Sequence, residues 1–335
     1  MTNIIMAKSD PGTGGAITKY YLDTAAELSK LERKNHKQVS DKGVPLMYDL
    51  SIEITTPQFS NSNVPILTGQ IFTAPTHWVT RNAVRMAHFL REDLRKEAGV
   101  QKGSIGRYAK NLRLNLNQEM YDITYDNTTE GDDGGTTRRI YAQNEVPFVH
   151  SAAGQDVAGG TWDYTQLTQT DPTNANAGDP YYLTVCGAHS AAAPGPYTRV
   201  GVNLAYLQRR QTVQADATQT SGGDTVNVDS DSPFFRIPEQ DAGEDAYQLL
   251  ILDEQDNPPY KRDVDLNNVD KSADIAPICV DNFQLGAGGS ATNGSAHVAR
   301  VQAPLGLVML RMDPIASGSF EDIHFQITCH GTYEM

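Results

Sequence analysis

Leu46-Met-Tyr-Asp-Leu-Ser-Ile-Glu-Ile-Thr55 is the stretch that decides how this chain folds. Leu46, Tyr48, Leu50, Ile52 and Ile54 alternate with Met47, Asp49, Ser51, Glu53 and Thr55, and only Met47 breaks the polar series. A period of two with one apolar side marks a strand half-buried against a core. The pattern returns near the other terminus. There Ile323, Phe325, Ile327 and Cys329 alternate with His324, Gln326, Thr328 and His330.

Between these two segments the chain reads as mainly β. Strands are expected at 66–72, 112–116, 121–125, 138–149, 181–186, 197–207, 246–252, 296–302 and 304–312. Segments rich in Gly, Asp, Asn, Thr and Pro separate them, at 126–137, 151–180, 187–196, 214–232 and 286–295. On turn spacing this makes about 14 to 16 short strands, too many for one eight-stranded sandwich.

Two helices interrupt the β pattern. Ile17, Tyr21, Ala25, Leu28 and Leu31 recur at helical spacing over 16–38. Lys30, Arg33, Lys34 and Lys37 crowd the C-terminal end of that segment, where cations suit the helix dipole. The second helix spans 76–98, with Thr76 as N-cap and Gly99 as C-terminal stop. Val79, Ala83, Met86, Leu90 and Leu94 form its apolar stripe. Arg81, Arg85, Arg91, Arg95 and Lys96 lie mostly off that stripe.

Charge is divided unevenly. Residues 1–113 hold 16 basic and 10 acidic residues, and the remainder holds 11 and 31, within a chain of net charge −14. A basic end suits phosphate, of lipid or nucleic acid, and an acidic remainder keeps a crowded surface soluble. Residues 1–15 read as a polar, glycine-rich arm without the features of a signal peptide. No run is long enough for a membrane-spanning helix. Cys186, Cys279 and Cys329 are few, distant and odd in number, which suits a reducing compartment; Cys186 and Cys329 fall in strand-like runs and are expected to be buried.

Motifs for catalysis are absent: there is no HExxH, GxSxG, Walker loop, GxGxxG after a strand, or CxxC. No cofactor is implied. His324 and His330 lie six residues apart, too far to share a metal from one strand. Acidic clusters at Glu130–Asp133, Asp229–Asp231, Asp241–Asp245 and Asp253–Asp256 read first as solvated loops and second as loosely bound calcium. Trp162, Tyr164, Tyr181 and Tyr182 lie in loop-like sequence and suit partly wet subunit contacts, with core packing as the competing role.

With its basic N-terminal segment, short alternating strands, long polar loops and closing strand Ile323–Cys329, the chain resembles a jelly-roll viral major capsid protein. The strand number is most similar to the double jelly-roll group of tailless icosahedral viruses, bacteriophages included, many of which carry an internal membrane. The resemblance implies two tandem jelly-roll β-sandwiches. Its boundaries are an arm and helix at 1–44, a first jelly roll at 45–213 carrying the helix 76–98, a linker at 214–232 and a second jelly roll at 233–335. The second half is short for a complete jelly roll, so a single jelly roll with large insertions is the alternative. The resemblance further implies a non-enzymatic subunit that self-assembles as homotrimers into a virion shell, made in the host cytoplasm. Its partners would be other copies, minor capsid proteins, and inner membrane lipid or viral genome. Lys30, Arg33, Lys34 and Lys37 would meet phosphate at the inner surface. A carbohydrate-binding or glycoside-cleaving β-sandwich, and a minor spike or tail component, are the competing readings.

Overall fold

The computed structural model describes residues 2–6, 17–56, 66–122, 137–140, 162–168, 180–191, 197–211, 275–286, 295–314 and 323–335. Among them the chain is mainly β, with thirteen strands and four α-helices. The first sheet contains β1 (Thr2–Met6), β13 (His324–Glu334), β3 (Leu46–Thr56) and β11 (Ser295–Pro304), in that spatial order and all antiparallel. The second contains β10 (Ile278–Gly286), β4 (Ile66–Thr73), β12 (Leu307–Pro314), β2 (Thr18–Asp23) and β5 (Thr137–Arg139); only β5 joins in parallel.

The inward-facing side chains meet as the alternation requires. Leu50, Ile52 and Ile54 of β3 are fully buried and share one core with Ile327, Val301, Leu67, Ile71 and Leu310 from both sheets. The Tyr20 and Phe325 rings cross the two sheets at 5.2 Å. Leu305 and Gly306, with φ of 62° and 71°, turn the chain from β11 into β12 and so from one sheet to the other.

Where β2 and the adjoining parts of β4 and β12 lie together, the second sheet is buried on both faces. Tyr20, Leu22, Val308 and Leu310 point into the first core, whereas Tyr21, Phe72, Leu307 and Met309 point into a second one. This is why 305–310 reads as an almost continuous apolar run rather than an alternation. The second core is supplied by chain lying between β4 and β10: α2 (Trp78–Glu97), the extended segment Asn111–Leu116, α3 (Gln118–Asp122), α4 (Val202–Gln211) and a small sheet. That sheet has the order β6 (Gln166–Thr168), β7 (Pro180–Thr184), β9 (Tyr197–Gly201), β8 (Ser190–Ala191). The described parts therefore stack as sheet, sheet and a mixed helical layer.

Several expectations are corrected. Strand pairing runs across the expected 214–232 boundary among the described residues: β3 and β4, from the expected first half, pair with β11 and β13 and with β10 and β12, from the expected second half. Alternation defines a wet and a dry face but names no partner strand. The linker 214–232 and the strand 246–252 lie outside the described residues. The helix expected over 16–38 is a strand, β2, followed by α1 (Thr24–Glu32). The tyrosines of β2 alternate between two apolar layers, and burial on both faces prevails over the helical spacing. Asp23 caps α1 by accepting from the Ala26 N–H at 3.0 Å.

The strand expected over 197–207 stops at Gly201. There a Cβ would lie 2.1 Å from the Gly187 carbonyl oxygen. Beyond it α4 packs Leu204 and Leu207 against Val79 and Ile275. The strand expected at 121–125 begins instead within α3, and its remainder lies outside the described residues. The polar arm expected at 1–15 contains β1, whose Ile4 is fully buried. For α2, His77 takes the N-cap place expected of Thr76, without a side-chain capping bond. Gly99 ends it as expected: at φ 68° it lets Gly99 N–H donate to the Lys96 carbonyl and Val100 N–H to that of Arg95.

Candidate functional site: a basic face with exposed apolar side chains

The four cations expected to meet phosphate lie in the last turn of α1 and just beyond it. Lys30 pairs with Glu27 at 2.9 Å, and Glu27 is 1% exposed. Lys34 lies 3.3 Å from Glu32, and Lys37 lies 2.7 Å from Asp41. The hydrogen bond from Lys37 holds the Asp41 carboxyl below the usual carboxylate range. Arg33 is exposed, at φ 53° where α1 ends. Three of the four charges are thus matched by carboxylates of their own segment, so this segment's field is weaker than a count of bases suggests.

Tertiary structure brings a second basic segment beside the first. The Asn35 amide donates to the Arg107 carbonyl at 3.2 Å, and the Asn111 amide donates to Asn35 Oδ1 at 3.0 Å. A Cβ at Gly43 would sit 2.8 Å from the His88 ring, so the 40–43 turn lies directly on α2. Burial pushes His88 below its ordinary range. Lys102 approaches Glu92 at 3.9 Å. Residues 33–43 and 88–110 together hold ten basic and four acidic residues, a local net of +6 in a chain of −14.

Two arginines hold the 98–110 loop on the helix. Arg91 donates to the carbonyls of Lys110, at 2.8 Å, and Ala109. Arg95 donates to the Val100 carbonyl at 2.7 Å and to Glu92 at 2.8 Å. With those guanidinium groups engaged, Lys96, Lys102 and Arg107 are left exposed. The same stretch of chain carries Phe89, Val100 and Tyr108, which are 51%, 42% and 46% exposed. Sequence reading found the basic side of α2 but not these apolar side chains, because exposure is not written in residue type.

Beneath this face a buried network ties the insertion to the sandwich. Asp23 is fully enclosed and accepts from Gln38 at 3.0 Å and from the Tyr164 hydroxyl at 3.1 Å. Burial pushes its carboxyl up to about 6, against the lowering effects of the Ala26 N–H, Arg139 and Tyr164. The Gln38 amide pairs with the backbone of Leu114 as a peptide group would, at 2.7 and 3.1 Å. Arg113 lies 4.0 Å above the Trp162 ring and donates to the carbonyls of Asp163 and Tyr108. Trp162, Tyr164 and Tyr181 therefore serve packing within the chain, the competing role of the two considered for them.

His330 bonds Ser51 at 2.7 Å, and His297 bonds Asp281 at 2.9 Å while stacking on Phe283. Among the described residues no three His, Cys, Asp or Glu side chains converge. Cys186 is buried as expected, whereas Cys329 is only half-buried and Cys279 is exposed. No described helix is long and apolar enough to cross a membrane. The chain matches no family model, no curated protein and no solved structure.

Proposed function

We propose that this chain is a capsid subunit built on a single jelly roll with a large insertion between its fourth and fifth strands. One observation carries the reading. Counted along the chain without β5 and the small sheet, the eight sandwich strands lie in the order 1-8-3-6 in one sheet and 5-4-7-2 in the other. Each step along the chain except the fourth passes from one sheet to the other. Two Greek keys wrapped in this way make a jelly roll. The fourth step holds residues 74–277, which include α2, α4 and the small sheet. Because strands from both sides of 214–232 share sheets, the single roll is preferred to two rolls in tandem.

The subunit assembles with copies of itself, as trimers that tile a shell, and its role is construction rather than catalysis. Charge supports this: a face of net +6 suits the phosphate-rich inside, and an acidic remainder suits the outside. The basic segment of Lys30, Arg33, Lys34 and Lys37 belongs to the inward face on this reading, and minor capsid proteins are the further partners. Light scattering and negative-stain microscopy of the purified chain test the proposal. Trimers or closed particles are expected, and a strict monomer at high concentration would overturn it.

A further inference from the structure

We infer that the surface formed by the C-terminal half of α2 and the 98–110 loop docks onto an anionic lipid bilayer, with its bases on the headgroups and Phe89, Val100 and Tyr108 entering the interface. This inference does not depend on shell formation; it rests on the surface of the isolated subunit.

Three observations carry it. First, six large hydrophobic side chains are exposed among the described residues, and three of them, Phe89, Val100 and Tyr108, fall within one stretch of twenty residues. Clustered exposed apolar groups mark a surface that meets something less polar than water. Second, the same stretch presents Lys96, Lys102 and Arg107 to solvent. Their charge complements an anionic headgroup layer, and their aliphatic stems accompany the apolar groups into it. Third, the loop is held in place beforehand. Arg91 and Arg95 clamp its backbone, Arg113 holds the Tyr108 carbonyl and Asn35 holds that of Arg107. A loop fixed in this way loses little conformational freedom on docking.

The mixture of side chains selects lipid over nucleic acid. Val100 has no ring with which to stack on a base. The carboxylates Glu92, Asp93 and Glu97 interrupt the bases, which weakens a track for a phosphate backbone. A bilayer tolerates that interruption because apolar insertion supplies the remainder of the attraction.

The test uses the purified full-length chain in sedimentation with two vesicle types, phosphatidylcholine alone and phosphatidylcholine mixed with phosphatidylglycerol. Binding to the mixed vesicles, weakened by added salt, is expected, with little binding to the neutral ones. Lys96→Gln, Lys102→Gln and Arg107→Gln together should weaken binding roughly tenfold or more. Phe89→Ser, Val100→Ser and Tyr108→Ser together should weaken it at least as much with the charge unchanged. Thermal midpoints matching the parent's establish that each variant is folded; for a variant that fails this check, the parent's preference for anionic vesicles and its salt dependence decide. Equal binding to both vesicle types, no binding to either, or full binding by the serine variant overturns the inference. Duplex DNA bound more tightly than anionic vesicles, and equally well by the serine variant, would reassign the face to nucleic acid and overturn it too. Shells that form without vesicle binding would refute this inference and leave the proposed function standing. Vesicle binding by a strict monomer would do the reverse.

Discussion

Replacing Gly69 by alanine tests the cross-strand packing of β4 against β10, within the second sheet, at one atom. Gly69 lies in β4 opposite Phe283 of β10. A Cβ there would be 2.1 Å from Phe283 Cζ and 2.5 Å from both Cε atoms, where carbon contacts normally settle near ~3.5–4 Å. Phe283 is 5% exposed and stacked on His297 at 5.3 Å, so its ring has little room to retreat. Overpacking of this kind costs about 1–3 kcal/mol, and the depth of the clash puts Gly69→Ala near the upper end. The lower backbone entropy of alanine offsets about 0.5–1 kcal/mol, leaving a net loss of about 2 kcal/mol. The decisive step is to repeat the substitution with Phe283→Ala already in place. That background is itself weakened by about 3–5 kcal/mol, yet within it Gly69→Ala should stabilise by about 0.5–1 kcal/mol. Urea unfolding of the four proteins gives a coupling energy of about 3 kcal/mol if the ring fills the glycine's space. An equal loss in both backgrounds would refute the reasoning, since the penalty would then come from the strand itself.

Three further outcomes are expected. Asp23, buried with its carboxyl raised to about 6 from 3.8, keeps its proton in the folded chain at pH values where the unfolded chain has released it. Stability should therefore fall as pH rises through this window, by about 3 kcal/mol, and Asp23→Asn, which retains the N-cap acceptor, should flatten the curve when midpoints are compared across pH. Gln38→Ala leaves the Leu114 backbone groups and one bond to Asp23 unmade in a buried place, and should lower unfolding stability by about 2–4 kcal/mol. Arg33→Glu, Lys34→Glu and Lys37→Glu together should leave the thermal midpoint near the parent's while blocking particles in microscopy; Lys30→Glu is kept out of this set because it would face the enclosed Glu27 with a second carboxylate and unfold the chain more readily.

The sequence foretold the elements whose environment is one-sided. Period two identified β3, with its one apolar and one polar face, nearly to the residue, and β13 up to Cys329, where its alternation ends at a register shift. α2 was equally plain, with an apolar stripe, a basic side and a glycine stop. Elements packed on both faces were misread. β2 lies between two cores, and its Tyr21 fell at helical spacing with Ile17, Ala25, Leu28 and Leu31. β10, an edge strand with Cys279 and Val280 exposed at a register shift, carries too weak an alternation to be noticed. The basic face was half legible: its charges could be counted, but Glu27, Glu32 and Asp41 beside the first four cations could not be weighed until their distances were known.

By itself, then, the amino-acid order determined a β-rich chain with one cationic region and an anionic remainder, because side-chain periodicity and charge are local properties. Only the tertiary structure decided that strands from the two ends interleave in shared sheets, and that Phe89, Val100 and Tyr108 stand in water. Both depend on contacts between residues hundreds of positions apart or on which face a neighbour covers, and no local pattern encodes either.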